Sequence, residues 1–456
     1  MMKRTMMPWR KVLPIALAAS VMLPLGMTGG PVKPAHAAAG SFDVLSYNIG
    51  GLPAILSSSA DPEKYTPLIG AKLAPYEVVN VQEDFNYHAS LYASDTHPYR
   101  TPTSGGAGIG SGLNTLSNYP LYDLKRVTWN KRYGLFDNGS DELTPKGFTY
   151  TQVKLADGAY IDVYNLHADA NTDTLSNEAR RDNLTQLAAY IEANSKGHAV
   201  LVLGDTNCRY TRSEDQLKSL FVDKLGMKDA WVEKIRGGSY PAMGSAALLG
   251  TPGSTSPDNE VVDKIFYRSG AAVSLQANTY KVEDTYFTDS TGHQLSDHYA
   301  VSANFSFSTS GLIYSDLVGG DGGTPFNFLG SSAPAASQPA SVTLRGASRL
   351  DAVSMSYANG SALTSGGTGG SASSLTLGSG EYFVSALLYQ NTYNGTSRVF
   401  YLELTTNQGR KVSAGEKSGT ATTLTAPAGS SIAGFFGRAG DTIDKLGLVY
   451  KALPAK

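Results

Sequence analysis

Polar side chains stand at the ends of several apolar runs, where strand ends would present them together. They are Asn48, Glu83, His167, Asp205, Asn207, Asp263, Asp297 and His298. The carboxylates and amides are hard oxygen ligands suited to Mg²⁺, Mn²⁺ or Ca²⁺. The two histidines can transfer protons near neutral pH, and a carboxylate such as Asp263 can orient an imidazole. This set predicts metal-assisted attack of water on a phosphodiester, in which one histidine activates water and the other protonates the leaving oxygen.

Each of these residues also has a purely structural explanation. Asn48 can be a strand-end turn residue, Glu83 a solvated carboxylate, and the histidines satisfied structural groups. The pair Gly204-Asp205 is typical of a strand-terminating turn. Cys208 is the only cysteine, which excludes an intrachain disulfide, and we expect a small, half-buried residue without a thiol role. The functional prediction therefore depends on the order and spacing of the whole set.

The elements that would position these residues are mostly strands. Apolar or alternating runs predict strands over residues 41–48, 77–82, 113–116, 148–155, 160–166, 200–203, 261–267 and 298–305. Helices are predicted around 65–73 and over 176–194, the second with Leu184, Leu187, Ala188 and Ile191 on one face. Gly204 is expected to let the backbone turn as the strand 200–203 ends. Strands with a few helices between them predict a layered α/β sandwich.

Length and charge limit the possible classes of protein. A chain of 456 residues predicts two or three domains, and a net charge of -2 provides no basic field that would attract nucleic acid. Basic residues precede the largely apolar run 12–23, and Ala35-His36-Ala37 offers a cleavage site. We therefore predict a signal peptide over residues 1–37. No later stretch is long and apolar enough to span a membrane, so we expect a secreted protein, extracellular or periplasmic.

A series of short segments, taken in order, resembles the endonuclease/exonuclease/phosphatase superfamily over residues 41–307. The segments are 46–49, 82–83, 112–113 with 117–120, 165–167, 204–207, 262–266 and 296–298. The resemblance implies a four-layer αββα sandwich and a divalent cation, Mg²⁺ or else Mn²⁺, Ca²⁺ or Co²⁺.

The resemblance also implies a role for each polar residue. Glu83 would bind the metal with help from Asn48, and Asp297 would be a supporting acidic residue nearby. Asp205 and Asn207 would orient water and phosphate or bind a second metal. Asp263 and His298 would form the general-base dyad. His167 would assist the leaving group.

Two further segments are similar to bacterial sphingomyelinases. They are Asn48–Pro53 and Asp141–Phe148, and in the second Lys146 would lie beside the phosphate as a point charge. The alternative explanation of Lys146-Gly147 is a turn that enters a strand. The two segments favour a phospholipid substrate, with possible peripheral membrane contact, over nucleic acid, and the neutral charge agrees. Residues 165–169 depart from that branch, and no exposed hydrophobic hairpin is predicted. The alternatives are a secreted metal-dependent endonuclease and a glycan-binding lectin with an inactive sandwich domain.

Beyond a Ser/Thr/Gly linker at 306–311, the chain shows an internal repeat. The glycine-rich segments Gly319–Gly323, Gly366–Gly370 and Gly415–Gly419 are each followed by short strand-like runs. Three similar four-stranded units predict an all-β prism with pseudo-threefold symmetry.

This region, residues 312–453, resembles jacalin-type lectins through segments 378–382 and 434–444. The resemblance implies a sugar pocket in which Asp444 binds two hydroxyls while Asp441 and Thr442 donate backbone N–H groups. Gly323 would supply a neighbouring backbone contact, where any side chain would crowd the sugar.

A second pocket could use Ser348, Arg349 and Asp351 with Gly370, although its loop begins with Ala347 where glycine is expected. The third repeat lacks the corresponding aspartate and is expected to be structural. The alternative explanation of these loops is turn chemistry alone. A lectin domain would hold the enzyme on glycans and raise its local concentration.

Overall fold

The computed structural model describes residues 38–53, 61–105, 110–135, 141–250 and 256–454. The predicted signal peptide lies outside these residues. The described chain is mostly β and forms an N-terminal unit, residues 38–309, with two large sheets, and a C-terminal unit, residues 312–454, with three smaller ones. Within these ranges, none of the helices has the length and apolar character needed to cross a membrane.

The first sheet of the N-terminal unit has the strand order β11-β13-β1-β2-β4-β3, with β12 paired to β13. Its strands are β1 (Ala39–Asn48), β2 (Val78–Gln82), β3 (Tyr99–Arg100), β4 (Asn114–Ser117), β11 (Val273–Ala277), β12 (Lys281–Val282) and β13 (Val301–Thr309). The second sheet has the order β5-β6-β7-β8-β10-β9. Its strands are β5 (Leu121–Thr128), β6 (Gly147–Ala156), β7 (Ala159–His167), β8 (Ala199–Asp205), β9 (Lys228–Asp229) and β10 (Asp263–Arg268).

The two sheets pack face to face around a shared apolar core, and the helices pack against one sheet or the other. Val44 of β1 belongs to the core shared with the second sheet, whereas its neighbour Leu45 packs toward the first helix, because alternate strand residues face opposite ways. The helices are α1 (Pro62–Lys72), α2 (His88–Ser94), α3 (Thr174–Asn194) and α4 (Ala230–Ile235), with a π-helical turn at Lys218–Lys224. The predicted apolar face of α3 is buried against the second sheet. Asp173 caps this helix by accepting from the N–H groups of Leu175 and Ser176.

Strand pairing brings the polar strand ends together. The parallel pair β1–β2 sets Asn48 opposite Gln82, and the parallel pair β7–β8 sets His167 opposite Asp205. The antiparallel partner β10 then places Asp263 opposite Asp205. Parallel strands end at the same edge, so the site lies where both sheets end.

Two local predictions need correction. Gly204 lies within β8, not at a turn after it, and an added Cβ would sit 2.8 Å from the Leu166 nitrogen. Glycine is therefore required there by the close approach of β7. The last strand begins at Val301, not at His298, so Asp297 and His298 stand in the loop before it. That loop is irregular because its polar residues turn into the site.

The C-terminal unit has three sheets with one repeated strand order. The first contains β14 (Leu312–Tyr314), β15 (Val318–Gly319), β16 (Thr324–Asn327), β25 (Ser430–Ala439) and β26 (Ile443–Ala452). The second contains β17 (Pro339–Gly346), β18 (Leu350–Tyr357), β19 (Ala362–Gly366) and β20 (Ser371–Thr376). The third contains β21 (Phe383–Tyr393), β22 (Thr396–Thr406), β23 (Lys411–Gly415) and β24 (Thr420–Thr425). A 3₁₀ turn at Phe328–Gly330 and α5 (Ala333–Ala336) connect the first two sheets. The first sheet combines strands from the beginning and from the end of this part of the chain. All three sheets contribute to one apolar core.

The two units are joined by an apolar and ionic interface. The rings of Tyr160, Tyr314 and Phe436 contact one another across it. Asp316 accepts hydrogen bonds from Lys154 Nζ at 2.6 Å and from the Tyr160 hydroxyl at 2.9 Å. The interface therefore fixes how the two units lie against each other.

Candidate functional site

Asn48 lies between two acidic groups at the edge where β1, β2 and β8 end. Its Nδ2 donates to Glu83 Oε1 and to Asp205 Oδ2, each at 3.0 Å. Asp205 is buried, and Glu83 takes a left-handed backbone conformation with φ of 57°. Burial raises the pKa of both carboxyl groups, although nearby cationic groups oppose the shift. Two carboxylates thus converge on one amide.

Asp263 and His298 form a hydrogen-bonded pair beside Asp205. The Nδ1 atom of His298 lies 2.9 Å from Asp263 Oδ2, and its Nε2 lies 3.7 Å from Asp205 Oδ2. Burial opposes charging of the imidazole, but the carboxylates of Asp263 and Asp205 outweigh it and raise the pKa of His298 well above its usual range. The pair has the geometry of an imidazole oriented by a carboxylate.

His167 and Lys146 lie on the other side of Asp205. The Nε2 atom of His167 is 3.3 Å from Asp205 Oδ2 and 3.1 Å from Lys146 Nζ. Burial, together with the positive charge of Lys146, holds the pKa of His167 well below its usual range, so its imidazole is neutral. Burial opposes the charge of Lys146, but Asp141 and Glu83 raise its pKa. The site therefore contains a fixed ammonium group next to a neutral histidine.

The remaining predicted residues occupy the margin of the site. Asn207, with φ of 52°, uses its Nδ2 to donate to the Ala168 carbonyl at 3.0 Å, and its N–H donates to Asp205 Oδ1. Asp297 precedes His298, and its Oδ1 lies 3.2 Å from Ser296 Oγ. Cys208 is fully buried, not half-buried as expected, and burial raises the pKa of its thiol well above its usual range. A protonated, inaccessible thiol has no chemical role here.

The oxygen atoms at this edge suit a hard divalent cation. Glu83 and Asp205 place two carboxylates around one amide, which is favourable when a cation offsets their repulsion. Asp205, Asp263 and His298 form another group whose ligand atoms lie within 4.8 Å of one another. Because the hydrogen bond between Asp263 and His298 already explains that closeness, we interpret those two residues as a dyad and not as metal ligands.

Two features escaped the sequence analysis. Asp141 is fully buried and forms an ion pair with Lys146, which fixes the ammonium group near His167. Beneath the site, Gln82 Nε2 donates to Asn165 Oδ1 at 2.8 Å and ties the two sheets together. Gln82 and Asn165 belong to the segments that carried the resemblance, so their positions offered a signal. Asp141 also lies in a segment that carried a resemblance, but nothing in the sequence indicated that it pairs with Lys146.

The predicted sugar pocket of the C-terminal unit centres on Asp444. This residue is 1% exposed, and among the described residues its Oδ1 has no hydrogen-bond partner. An added Cβ at Gly323, where φ is 59°, would lie 2.6 Å from Asp444 Oδ2. Arg398 Nη1 lies 3.5 Å from Asp444 Oδ1 and donates to Thr442 Oγ1 at 2.7 Å, whereas Asp441 is exposed. The glycine-rich loop and Arg398 thus closely surround the Asp444 carboxylate.

The second predicted pocket has the same construction. An added Cβ at Gly370, where φ is also 59°, would lie 2.6 Å from Asp351 Oδ2. Arg345 donates to the carbonyls of Gly369 and Gly370, just as Arg438 donates to those of Gly322 and Gly323. The structure therefore gives Asp351 and Asp444 matching loop and arginine contacts despite Ala347, while Asp351 is half-buried and Asp444 is buried.

Comparisons with known proteins agree with these two units. Residues 58–232 match the model of Endonuclease/Exonuclease/phosphatase family 2, and residues 315–449 match the Jacalin-like lectin domain. Sphingomyelinases of Mycobacterium bovis and Mycobacterium tuberculosis are 41% identical over 284 residues, covering 60% of this chain and 54% of each relative. The chain thus spans about half the length of the curated relatives it matches.

Solved structures were also matched. A Malaysian banana lectin is 28% identical, with a TM-score of 0.27, covering 31% of this chain and 99% of its own. Sphingomyelinase C from Streptomyces griseocarneus is 20% identical, with a TM-score of 0.41, covering 58% of this chain and 99% of its own.

Proposed function

We propose that this chain, which joins an endonuclease/exonuclease/phosphatase-family domain to a jacalin-like lectin domain, is a secreted divalent-metal-dependent phosphodiesterase. Its substrate would be a phospholipid head group, as the name of the sphingomyelinase relatives suggests. The observation that carries the proposal is the convergence of Asn48, His167 and His298 on Asp205 at one edge of two sheets, with Glu83 held by Asn48. We also infer a four-layer αββα sandwich and a pseudo-threefold prism, since α1 and α3 cover different sheets.

Glu83 and Asn48 would hold the cation, with Asp297 nearby, and the bound cation would neutralise the phosphoryl oxygens. The hydrogen bond from His298 Nδ1 to Asp263 leaves Nε2 facing the site. A bound cation would offset the carboxylate charge that raises the pKa of His298, so that the neutral imidazole could take a proton from the attacking water. The water oxygen forms a bond to phosphorus as the ester bond to the leaving oxygen breaks. Asp205 and Asn207 would orient the water and the phosphate.

The leaving oxygen would depart on the side of His167 and Lys146. Their nitrogen atoms are 3.1 Å apart, so the ammonium group supplies the charge and proton that a neutral imidazole lacks. Lys146 would also attract the anionic phosphate as a point charge. The products are a phosphomonoester and an alcohol.

An apolar segment beside the site supports contact with a lipid surface. Leu249 lines a cavity of about 310 Å³ together with Asp263 and His298. Leu249 is 68% exposed and Met243, on the same segment, is 66% exposed. Exposed apolar side chains beside an active site favour peripheral contact with a membrane over a nucleic-acid groove.

Parallel assays with sphingomyelin, phosphoinositides and plasmid DNA, with Mg²⁺ and with chelator, test the proposal. We expect Mg²⁺-dependent lipid hydrolysis that His298→Ala removes. Cleavage of DNA without lipid turnover would establish a nuclease instead. Equal inactivity of the unsubstituted protein and His298→Ala on every phosphoester would leave a lectin with an inactive sandwich domain.

For the C-terminal unit we propose glycan binding through Asp444, Gly323, Asp441 and Thr442, with a second pocket at Asp351. The buried Asp444 Oδ1, which lacks a hydrogen-bond partner among the described residues, supports this role. Binding of the full-length chain to a glycan array tests it, and loss of signal is expected for Asp444→Ala. Recovery of the protein from culture medium or periplasm, lacking residues 1–37, tests secretion.

A further inference from the structure

A cluster of charged residues connects the two units next to the sugar pocket. Lys445 follows Asp444 in sequence, and its Nζ forms ion pairs with Asp123 of the N-terminal unit and with Asp321, the latter at 2.5 Å. Lys125, also of the N-terminal unit, donates from Nζ to the backbone carbonyl of Asp321 at 2.9 Å. Asp123 and Lys445 are both buried. The N-terminal unit therefore holds the loop that contains Asp321 through both its side chain and its backbone.

The backbone of β5 is distorted where Asp123 reaches the cluster. Asp123 has φ of 58°, and the pairing of β5 with β6 shifts register between Tyr122 and Lys125. Such a bulge re-aims a side chain, and aspartate is one of the few residues other than glycine that tolerates a left-handed conformation. The bulge turns the Asp123 carboxylate toward the C-terminal unit.

The loop held by this cluster forms one wall of the sugar pocket. Asp321 is the middle residue of Gly319–Gly323, and Gly322 and Gly323 approach the Asp444 carboxylate closely. Gly320 N–H donates to the Asp444 carbonyl at 2.8 Å. Arg438 holds the same loop from its own unit, through the carbonyls of Gly322 and Gly323. The wall is thus fixed from two sides, and one of them belongs to the N-terminal unit.

The second pocket shows that the cluster is not needed to build a loop of this kind. Gly366–Gly370 surrounds Asp351 in the same way, and Arg345 takes the place of Arg438. At the position of Asp321 it has Thr368, however, and at the position of Lys445 it has Ala352. The lysine and carboxylate pair occurs only in the pocket that faces the N-terminal unit.

We infer that Asp123 is a positioning residue for the Asp444 sugar pocket, acting through Lys445 and Asp321 on the loop Gly319–Gly323. The inference rests on the proposed glycan binding. It makes the N-terminal unit part of the glycan-binding machinery, so the affinity of this pocket depends on the contact that Asp123 makes with Lys445 across the interface. The Asp351 pocket is independent of that interface.

Titration of the full-length chain on immobilised mannose-, glucose- and galactose-terminated glycans tests the inference, with every variant made on an Asp351→Ala background. Asp123→Asn keeps a residue that tolerates the left-handed backbone and removes only the charge. We expect it to weaken binding about five- to tenfold, because it breaks a buried charge-assisted contact. Asp321→Asn should also weaken binding. Combining Asp123→Asn with Lys445→Met should cost less than the product of the two single effects, since both act through one ion pair.

Lys154→Met is the matched control. It removes a different ion pair between the units, that of Lys154 with Asp316, and should leave glycan affinity unchanged. Thermal unfolding midpoints, measured for this control and for Asp123→Asn, establish that each variant is folded at the assay temperature. If Asp123→Asn does not fold, the glycan affinity of Asp321→Asn tests the inference instead. The side chain of Asp321 is 56% exposed, so its substitution should not prevent folding.

The outcomes separate two kinds of failure. Absence of glycan binding by the Asp351→Ala chain, or binding that Asp444→Ala does not affect, overturns the proposed pocket and this inference with it. Binding that depends on Asp444 but is unchanged in Asp123→Asn and Asp321→Asn overturns only the inference. Equal weakening by Lys154→Met also overturns it, because any damage to the interface would then suffice.

Discussion

The candidate catalytic site of the N-terminal unit and the proposed sugar pockets of the C-terminal unit are assembled in different ways. The first collects side chains from β1, β7, β8 and β10, from Glu83 after β2 and from the loop before β13, so that Asn48 and His298 both reach Asp205 only in the folded unit. Each sugar pocket uses one carboxylate and a glycine-rich loop. The first arrangement brings charged side chains together in the protein interior, whereas the second relies on the backbone of a loop.

This difference predicts how each site responds to damage. Charges in the candidate catalytic site are mutually dependent, since the single side chain of Asp205 contacts Asn48, His167 and His298. The sugar pocket occurs twice, so loss of one copy leaves another. Changes to the first site should therefore abolish its function, whereas changes to the second should reduce it in steps.

The largest effect is expected for His298→Ala. Loss of the proton acceptor should lower kcat/KM for the phosphodiester about 10²- to 10⁴-fold. Glycan binding of the same variant should equal that of the unsubstituted protein, which also shows that the chain is folded. Hydrolysis within twofold of normal would remove His298 from the mechanism.

The next largest effect is expected when divalent cations are removed, which should change hydrolysis but not glycan binding. Chelator should reduce hydrolysis to background and added Mg²⁺ should restore it, because the cation that Glu83 and Asn48 would hold is needed to neutralise the phosphoryl oxygens. Glycan binding, measured in the same buffers, should not change, since the pocket of Asp444 relies on one carboxylate and backbone groups. Hydrolysis that continues in chelator would contradict the proposed metal site.

A smaller effect, a partial loss of glycan binding, is expected for Asp444→Ala. Monovalent glycan binding should fall at least about tenfold at this pocket, since the carboxylate accepts hydroxyl groups that water alone would then satisfy. Asp351→Ala is the matched variant in the second pocket, and the double variant should lose avidity for multivalent glycans as well. Hydrolysis of a soluble substrate should persist in all three. Unchanged array binding by the double variant would place the glycan site elsewhere.

The smallest effect concerns a buried acid near the catalytic site. Burial, with Asp141 adding to it, raises the pKa of Asp169 from about 3.8 to about 7. The folded protein thus holds a proton that the unfolded chain releases, so this stabilisation is complete below about pH 4 and is lost as the pH rises toward 7.

Asp169→Asn should therefore flatten the decline of unfolding free energy between pH 4 and 7 by up to about 1 kcal/mol per pH unit. The amide fits because Asp169 Oδ2 accepts from the Tyr133 N–H, while Oδ1 has no hydrogen-bond partner in the described part of the chain. Urea unfolding at several pH values measures the slope. A slope equal to that of the unsubstituted protein would contradict a raised pKa of Asp169.

Much of this architecture was accessible from local patterns. Apolar runs predicted the strands that end in Asn48, His167 and Asp205, and the spacing of Leu184 to Ile191 predicted the face of α3. The repeated glycine-rich segments predicted three similar sheets. These features succeed because each depends on residues close together in the chain.

Other features were decided by the tertiary structure alone. Gly204 is needed because β7 passes close to it, and Asp141 holds Lys146 because the fold brings its loop under the site. The bulge at Asp123 acquires a function only when Lys445 of the other unit lies against it. The sequence by itself determined which chemical groups the protein carries and the order in which strands present them. Which charges become partners depended on long-range packing, because burial and distance set the strength of a charged contact and neither is a property of a local segment.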